Sequence, residues 1–130
     1  MFKDKPLAVL LSVLSSFFIS SAVSATISVI DDEKNRVEIL HPAQRIISLA
    51  PHITESLFAA GAGNKIIGAV SYSDYPEAAK KIPRVGGYPS LDLEKIVSLK
   101  PDLIIAWSSG NNQKQIERLR EFGLKIFLSE

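Results

Sequence analysis

Polar and apolar positions alternate in two different periods along this chain. From residue 26 the pattern T-I-S-V-I is followed by five polar residues, D-D-E-K-N, and then by R-V-E-I-L. Period-two alternation on both sides of a polar turn predicts a β-hairpin over residues 26–40. Residues 45–49 (RIISL) form a short apolar run suited to a buried parallel strand. Pro51 breaks that run, and residues 53–60 read as a helix with Ile53, Leu57 and Ala60 on one face. Gly61 and Gly63 supply the helix stop. Residues 65–70 (KIIGAV) are the second core strand, followed by a loop at 71–76 (SYSDYP) and one short helical turn at 77–81. Residues 83–90 (PRVGGYPS) read as loop, with Ser90 as the N-cap of an amphipathic helix over 91–100. Leu93, Ile96 and Val97 form its inner stripe, and Asp92 and Glu94 sit in the first turn, where the helix dipole favours acids. Pro101 ends it. Residues 102–107 (DLIIAW) are the third core strand. Asn112-x-x-Gln115 resembles a capping box for a helix over 113–122, with Ile116 and Leu119 facing inward and Gly123 at its stop. Residues 124–128 (LKIFL) are the fourth core strand.

Strands that alternate with helices point to the α/β class. The expected architecture is a Rossmann-like lobe, with a mostly parallel central sheet flanked by helices and a short β-hairpin in front of it. The sequence from residue 26 onward carries no repeat of fixed period and no low-complexity stretch.

The first 25 residues follow another logic. Lys3 and Lys5 make a short positive start, and residues 7–19 are apolar or small without a charge. An apolar core of about 13 residues is short of the roughly 20 that span a bilayer. Val23-Ser24-Ala25 sets small residues before an expected cleavage after Ala25. Residues 1–25 are therefore expected to be a signal peptide, in preference to a membrane anchor or a buried helix. The expected location is the periplasm, and with no cysteine in the chain there is no acceptor for a lipid anchor. Lack of cysteine also removes thiol nucleophiles and zinc ribbons.

The chain has 15 basic and 14 acidic residues. Cleavage would remove Lys3, Lys5 and Asp4 and leave a neutral product. Without a basic run or stripe, nucleic acid and anionic membrane surfaces are poor partners. Residues 26–130 are long enough for one core, hence one domain.

In open parallel sheets, ligands bind beyond the carboxyl ends of the strands. Four loops are expected there: Ala50-Pro51-His52, Ser71-Tyr72-Ser73-Asp74-Tyr75, Gly86-Gly87-Tyr88-Pro89 and Trp107-Ser108-Ser109-Gly110-Asn111. They hold Tyr72, Tyr75, Tyr88, Trp107 and His52. An aromatic, neutral rim suits a large, flat, partly apolar ligand better than a phosphate or a bare metal ion. Plain packing is the competing role for Tyr72, Tyr75, Tyr88 and Trp107, and a turn bonding its own backbone is the competing role for Asp74. His52 has only His41 as a second histidine and shares a helix face with Glu55, which is a weak pair for a metal. Gly61-Ala62-Gly63 follows a helix instead of opening one, so it is no dinucleotide fingerprint. The chain has no G-x-S-x-G elbow, and catalysis has little support.

Several segments together resemble one family. Residues 45–55 (RIISLAPHITE), 71–76 (SYSDYP), 92–107 (DLEKIVSLKPDLIIAW) and 110–111 (GN) are similar to the N-terminal lobe of vitamin B12-binding periplasmic proteins. These belong to a larger class of metal-chelate receptors, binding iron-siderophores and haem, in which one long helix joins two lobes. The resemblance implies binding without catalysis: capture of cobalamin or a related corrinoid, and delivery to an inner-membrane ABC permease with its ATPase. The corrinoid would be the transported ligand, with no resident cofactor, no metal site and no nucleic-acid partner. Tyr72 matches a tyrosine that lies against the corrin. Tyr88 falls where some members carry a tryptophan beside the ligand, and Trp107 matches the tryptophan that closes the third strand and lines the cleft. Glu94 matches an outer-surface acid that pairs with arginines of the permease. His52 departs from members that carry a small residue there, and could approach the cobalt face. Asp74 completes the candidate ligand-binding set. Against the family pattern the linking helix, the second lobe and the second docking acid are absent, so the expectation is either a fragment or truncated frame, or a lobe that must find a partner. One lobe offers one wall, and weak binding is the expectation. A receptor for haem or a ferric siderophore is the alternative; an anionic siderophore would favour cations in the loops, where Arg84 is the nearest. An α/β enzyme is a remote third reading.

Overall fold

The computed structural model describes residues 25–130. The leader expected over residues 1–25 lies, Ala25 apart, outside the described residues. In chain order the elements are β1 (Ile27–Ile30), β2 (Arg36–Ile39), β3 (Ile46–Ser48), α1 (Pro51–Ala59), β4 (Ile66–Ala69), β5 (Gly86–Gly87), β6 (Ser90–Leu91), α2 (Leu93–Ser98), β7 (Leu103–Trp107), α3 (Gln113–Glu121) and β8 (Ile126–Ser129). Two 3-10 turns, Gly63–Lys65 and Glu77–Lys81, complete the set.

The four apolar runs form one parallel sheet in the order β4-β3-β7-β8. This is the expected Rossmann-like arrangement, with the hairpin in front. The step from β3 to β4 runs in one direction along the sheet, and the steps to β7 and β8 run in the other. Right-handed crossovers then put α1 on one face and α2 with α3 on the other. The main core lies under the second pair: Ile47, Leu49, Ile104, Ala106, Ile126 and Leu128 of the sheet meet Ile96, Ile116 and Leu119, all buried. Burying one such aliphatic side chain is worth about 1.5–3 kcal/mol.

The hairpin protects an edge. β8 is the last strand of the sheet, and its outer N–H and C=O groups are open to another chain. The polar turn between β1 and β2 takes them. Leu128 N–H donates to Asp31 Oδ2 at 3.3 Å, Glu130 N–H donates to Asp32 Oδ2 at 2.8 Å, and Asp32 N–H donates to Leu128 O at 3.0 Å. Asp31 also accepts from the Asn35 N–H and side-chain amide. Burial alone would raise the Asp31 pKa; the hydrogen bonds donated by Asn35, Leu128 and Glu33 outweigh it and hold the carboxyl below its ordinary value.

Four local expectations are corrected. Pro51 does not merely break the strand; it opens α1 at its first turn, where a residue without an N–H costs nothing. Ala60 faces solvent, and Thr54 is buried in its place on the inner side of α1. Ser90 is not a helix cap. It lies in β6, paired with Gly87, and Asp92 caps α2 by accepting from Lys95 N–H at 3.0 Å. Gly86, at φ 101°, makes that pairing possible, since a Cβ there would stand 2.7 Å from Ser90 O. Asn112 caps α3 as expected, but only half the capping box forms. The Gln115 amide turns away to bond both backbone groups of Leu91, tying α3 to β6.

Candidate functional site

Because the four strands are parallel, the segments after β3, β4 and β7 meet at one edge of the sheet, joined by the β5–β6 loop. Trp107, the last residue of β7, stands at the centre of this edge. His52, in the first turn of α1, meets its ring edge-on with centroids 5.2 Å apart. Tyr88, from the turn between β5 and β6, leans on it at 5.5 Å and 54°. These three rings form a row, a geometry that aromatic quadrupoles favour. The His52 ring makes no hydrogen bond among the described residues, and its imidazole is exposed. His41 lies apart, before β3, with Nδ1 3.1 Å from Pro42 O. Among the described residues no group of three or more His, Asp or Glu side chains is placed to hold a metal ion.

The loop after β4 carries Tyr72 and Tyr75, which are 80% and 70% exposed. Its backbone is nonetheless fixed. Ser73 is buried, with its hydroxyl 3.2 Å from Thr54 Oγ1, which in turn donates to Ser48 Oγ at 2.8 Å. Tyr72 occupies left-handed backbone at φ 68°. Arg84 grips the loop from below: Nη2 donates to Ser73 O at 2.8 Å and Asp74 Oδ1 at 3.1 Å, and Nη1 donates to Ala79 O at 3.1 Å. Asp74 thus pairs with Arg84, and both hold the loop that presents Tyr72. The one cation expected near the rim is committed to this task.

Glu94 is apart from the aromatic row. It lies exposed in the first turn of α2, with no ion pair among the described residues, beside a shallow apolar groove lined by Leu93, Val97 and Phe122.

The sequence set Asn111 in the loop after the third core strand and in the 110–111 segment that carries the resemblance, but assigned it no role. Its side chain is buried at the junction of three segments. Trp107 N–H donates to Asn111 Oδ1 at 2.7 Å, while Nδ2 donates to Leu49 O at 2.9 Å and to Tyr88 O at 2.8 Å.

The chain is similar in sequence and in fold to known proteins. The periplasmic binding protein family matches residues 46–122. The vitamin B12-binding protein of Vibrio vulnificus is 56% identical over 68% of this chain and 33% of its own length. The crystal structure of the periplasmic vitamin B12-binding protein of Vibrio cholerae superposes with TM-score 0.66 at 49% identity, covering 68% of this chain and 35% of that one. A periplasmic heme-binding protein from a Roseiflexus species gives TM-score 0.63 at 33% identity, covering 67% and 34%. The chain spans about one third of the length of the curated relatives it matches. With its parallel sheet, its ordered aromatic edge and these similarities, the chain belongs to the periplasmic binding protein family.

Proposed function

We propose that the aromatic edge is one wall of a corrinoid-binding cleft, and that the chain acts as the capturing lobe of a cobalamin importer. The observation that carries this is the Tyr88–Trp107–His52 row, with Tyr72 presented beside it. A flat macrocycle can lie on such a surface and remove it from water without needing a counter-charge. On this reading the chain binds and does not catalyse, cobalamin is cargo and not a cofactor, and residues 1–25 export the chain to the periplasm. Glu94 then docks on an arginine of an ABC permease that its ATPase drives. Relatives named as vitamin B12-binding proteins support the ligand.

Trp107 is the only tryptophan, so its quenching reports directly on the proposed site. Titration of the purified chain with cyanocobalamin is expected to saturate with Kd of roughly 0.1 mM. One wall leaves half of the ligand wet, and binding costs are largely independent of how much surface is covered. A linear, unsaturable response would overturn the reading, and micromolar saturation would show that one wall suffices.

His52 favours a second reading, haem. Its exposed imidazole stands beside Trp107, and an imidazole nitrogen is an ordinary axial ligand for haem iron. Competition decides between them: a Soret shift with haem that His52→Ala removes selects haem, and displacement of haem by excess cobalamin selects the corrinoid.

A further inference from the structure

We infer that Asn111, together with Gly110, is the positioning device that assembles the aromatic wall; only the ligand arm of its test rests on the proposed function. Three segments distant in sequence carry the three rings of the row, and each is fixed by the same amide. The Trp107 backbone and the Asn111 backbone and side chain close a reciprocal turn, with Asn111 N–H donating to Trp107 O at 3.0 Å and Trp107 N–H donating to Asn111 Oδ1 at 2.7 Å. The two Nδ2 hydrogens go to Tyr88 O and to Leu49 O, the latter three residues before His52. The amide therefore uses two donors and one acceptor at once, 5% exposed. Asparagine alone has this inventory at this length. Aspartate offers no donor, leucine offers nothing polar, and glutamine places the same groups one methylene further out. In a dry site each of these bonds is strong, and each is costly to leave unmade.

Gly110 sets the ring itself. A Cβ at this position would stand 1.9 Å from the Trp107 ring, so the indole lies directly over the glycine. Gly110 is not among the positive-φ glycines, so the ring and not the backbone forbids a side chain here. One residue fixes the strand end and its two neighbouring loops. The residue before it leaves the space that the indole occupies.

The single tryptophan makes this measurable in the ligand-free chain. Asn111→Leu and Gly110→Ala are expected to shift Trp107 emission and to raise its accessibility to acrylamide, with circular dichroism showing a folded chain. Both are also expected to weaken cobalamin quenching by about tenfold or more. Leu119→Ala, in the core under α3, is the structural control: it lowers the thermal midpoint while leaving emission, acrylamide quenching and cobalamin response as in the parent. The inference fails if folded Asn111→Leu keeps the parental emission, or if Leu119→Ala reproduces the shift. Should Asn111→Leu not fold, Gly110→Ala decides by the same readouts. If cobalamin does not quench the parent chain, the proposed ligand falls, and emission with acrylamide still decides the positioning role.

Discussion

Two halves of the aromatic edge are built to different rules. Tyr88, Trp107 and His52 rest on one another and on a buried amide, so part of their surface is already covered before any ligand arrives. Tyr72 and Tyr75 stand in solvent, 80% and 70% exposed, on a loop that Ser73, Thr54 and Arg84 hold still. The first half is a prepared floor. The second is a pair of rings held ready at low entropic cost, whose apolar area counts only when something covers it. Rigid backbone and exposed side chain are therefore compatible, and exposure at this edge is no sign of disorder.

Three substitutions break or sharpen this contrast, and a fourth is set outside it as a reference. Trp107→Ala removes the centre of the floor and is expected to cost about 3 kcal/mol, the low end for a large aromatic because the ring is only partly buried. Its thermal midpoint should fall and cobalamin binding should vanish in equilibrium dialysis. Arg84→Met is next, at about 2 kcal/mol, because it strips hydrogen bonds from the carbonyls of Ser73, Ala79 and Ile82 at once. Urea denaturation measures it, and an unchanged midpoint would mean that the presented half is not held from below.

Asp31→Asn leaves both halves alone and tests the hairpin, at about 1 kcal/mol. The folded Asp31 pKa is lowered, so its contribution is fully present above the ordinary carboxylate value near 4 and is lost as pH falls through the lower folded value. The parent chain should lose stability over that acid window, and the asparagine variant should lose less. Tyr72→Ala has the smallest effect on stability, within about 0.5 kcal/mol. Cobalamin affinity should nonetheless fall about fivefold or more by dialysis. A stability loss equal to that of Trp107→Ala would erase the distinction between the two halves.

Much of this edge could be read in advance because it is local. The apolar runs before Ala50, Ser71 and Ser108 ended where strands end, which put Trp107 and Tyr72 on the same side of the sheet. What escaped the reading was how those residues are held. Ser90 has the chemistry of a cap, yet Gly86 and Gly87 draw it into a two-residue ladder and leave capping to Asp92. Ala60 fits the helical stripe, but the inner side of α1 closes on Thr54, whose hydroxyl finds partners in two other segments. Asp74 reads as a turn residue on its own, and becomes the partner of Arg84 only when the chain folds back.

By itself the sequence determined the alternation of strands and helices, the stops at Gly61 and Gly123, the Asn112 cap and the concentration of aromatics after strand ends. Each depends on residues within about one helical turn or one strand pleat, where period and capping chemistry are written in neighbouring positions. The tertiary structure alone decided the Asn111 junction, the Arg84 grip on the Tyr72 loop and the acidic turn that covers β8. Their partners lie far apart: 62 residues from Asn111 to Leu49, and 97 from Asp31 to Leu128. Such bonds leave no periodic trace, because the order of strands in the sheet chooses which loops become neighbours.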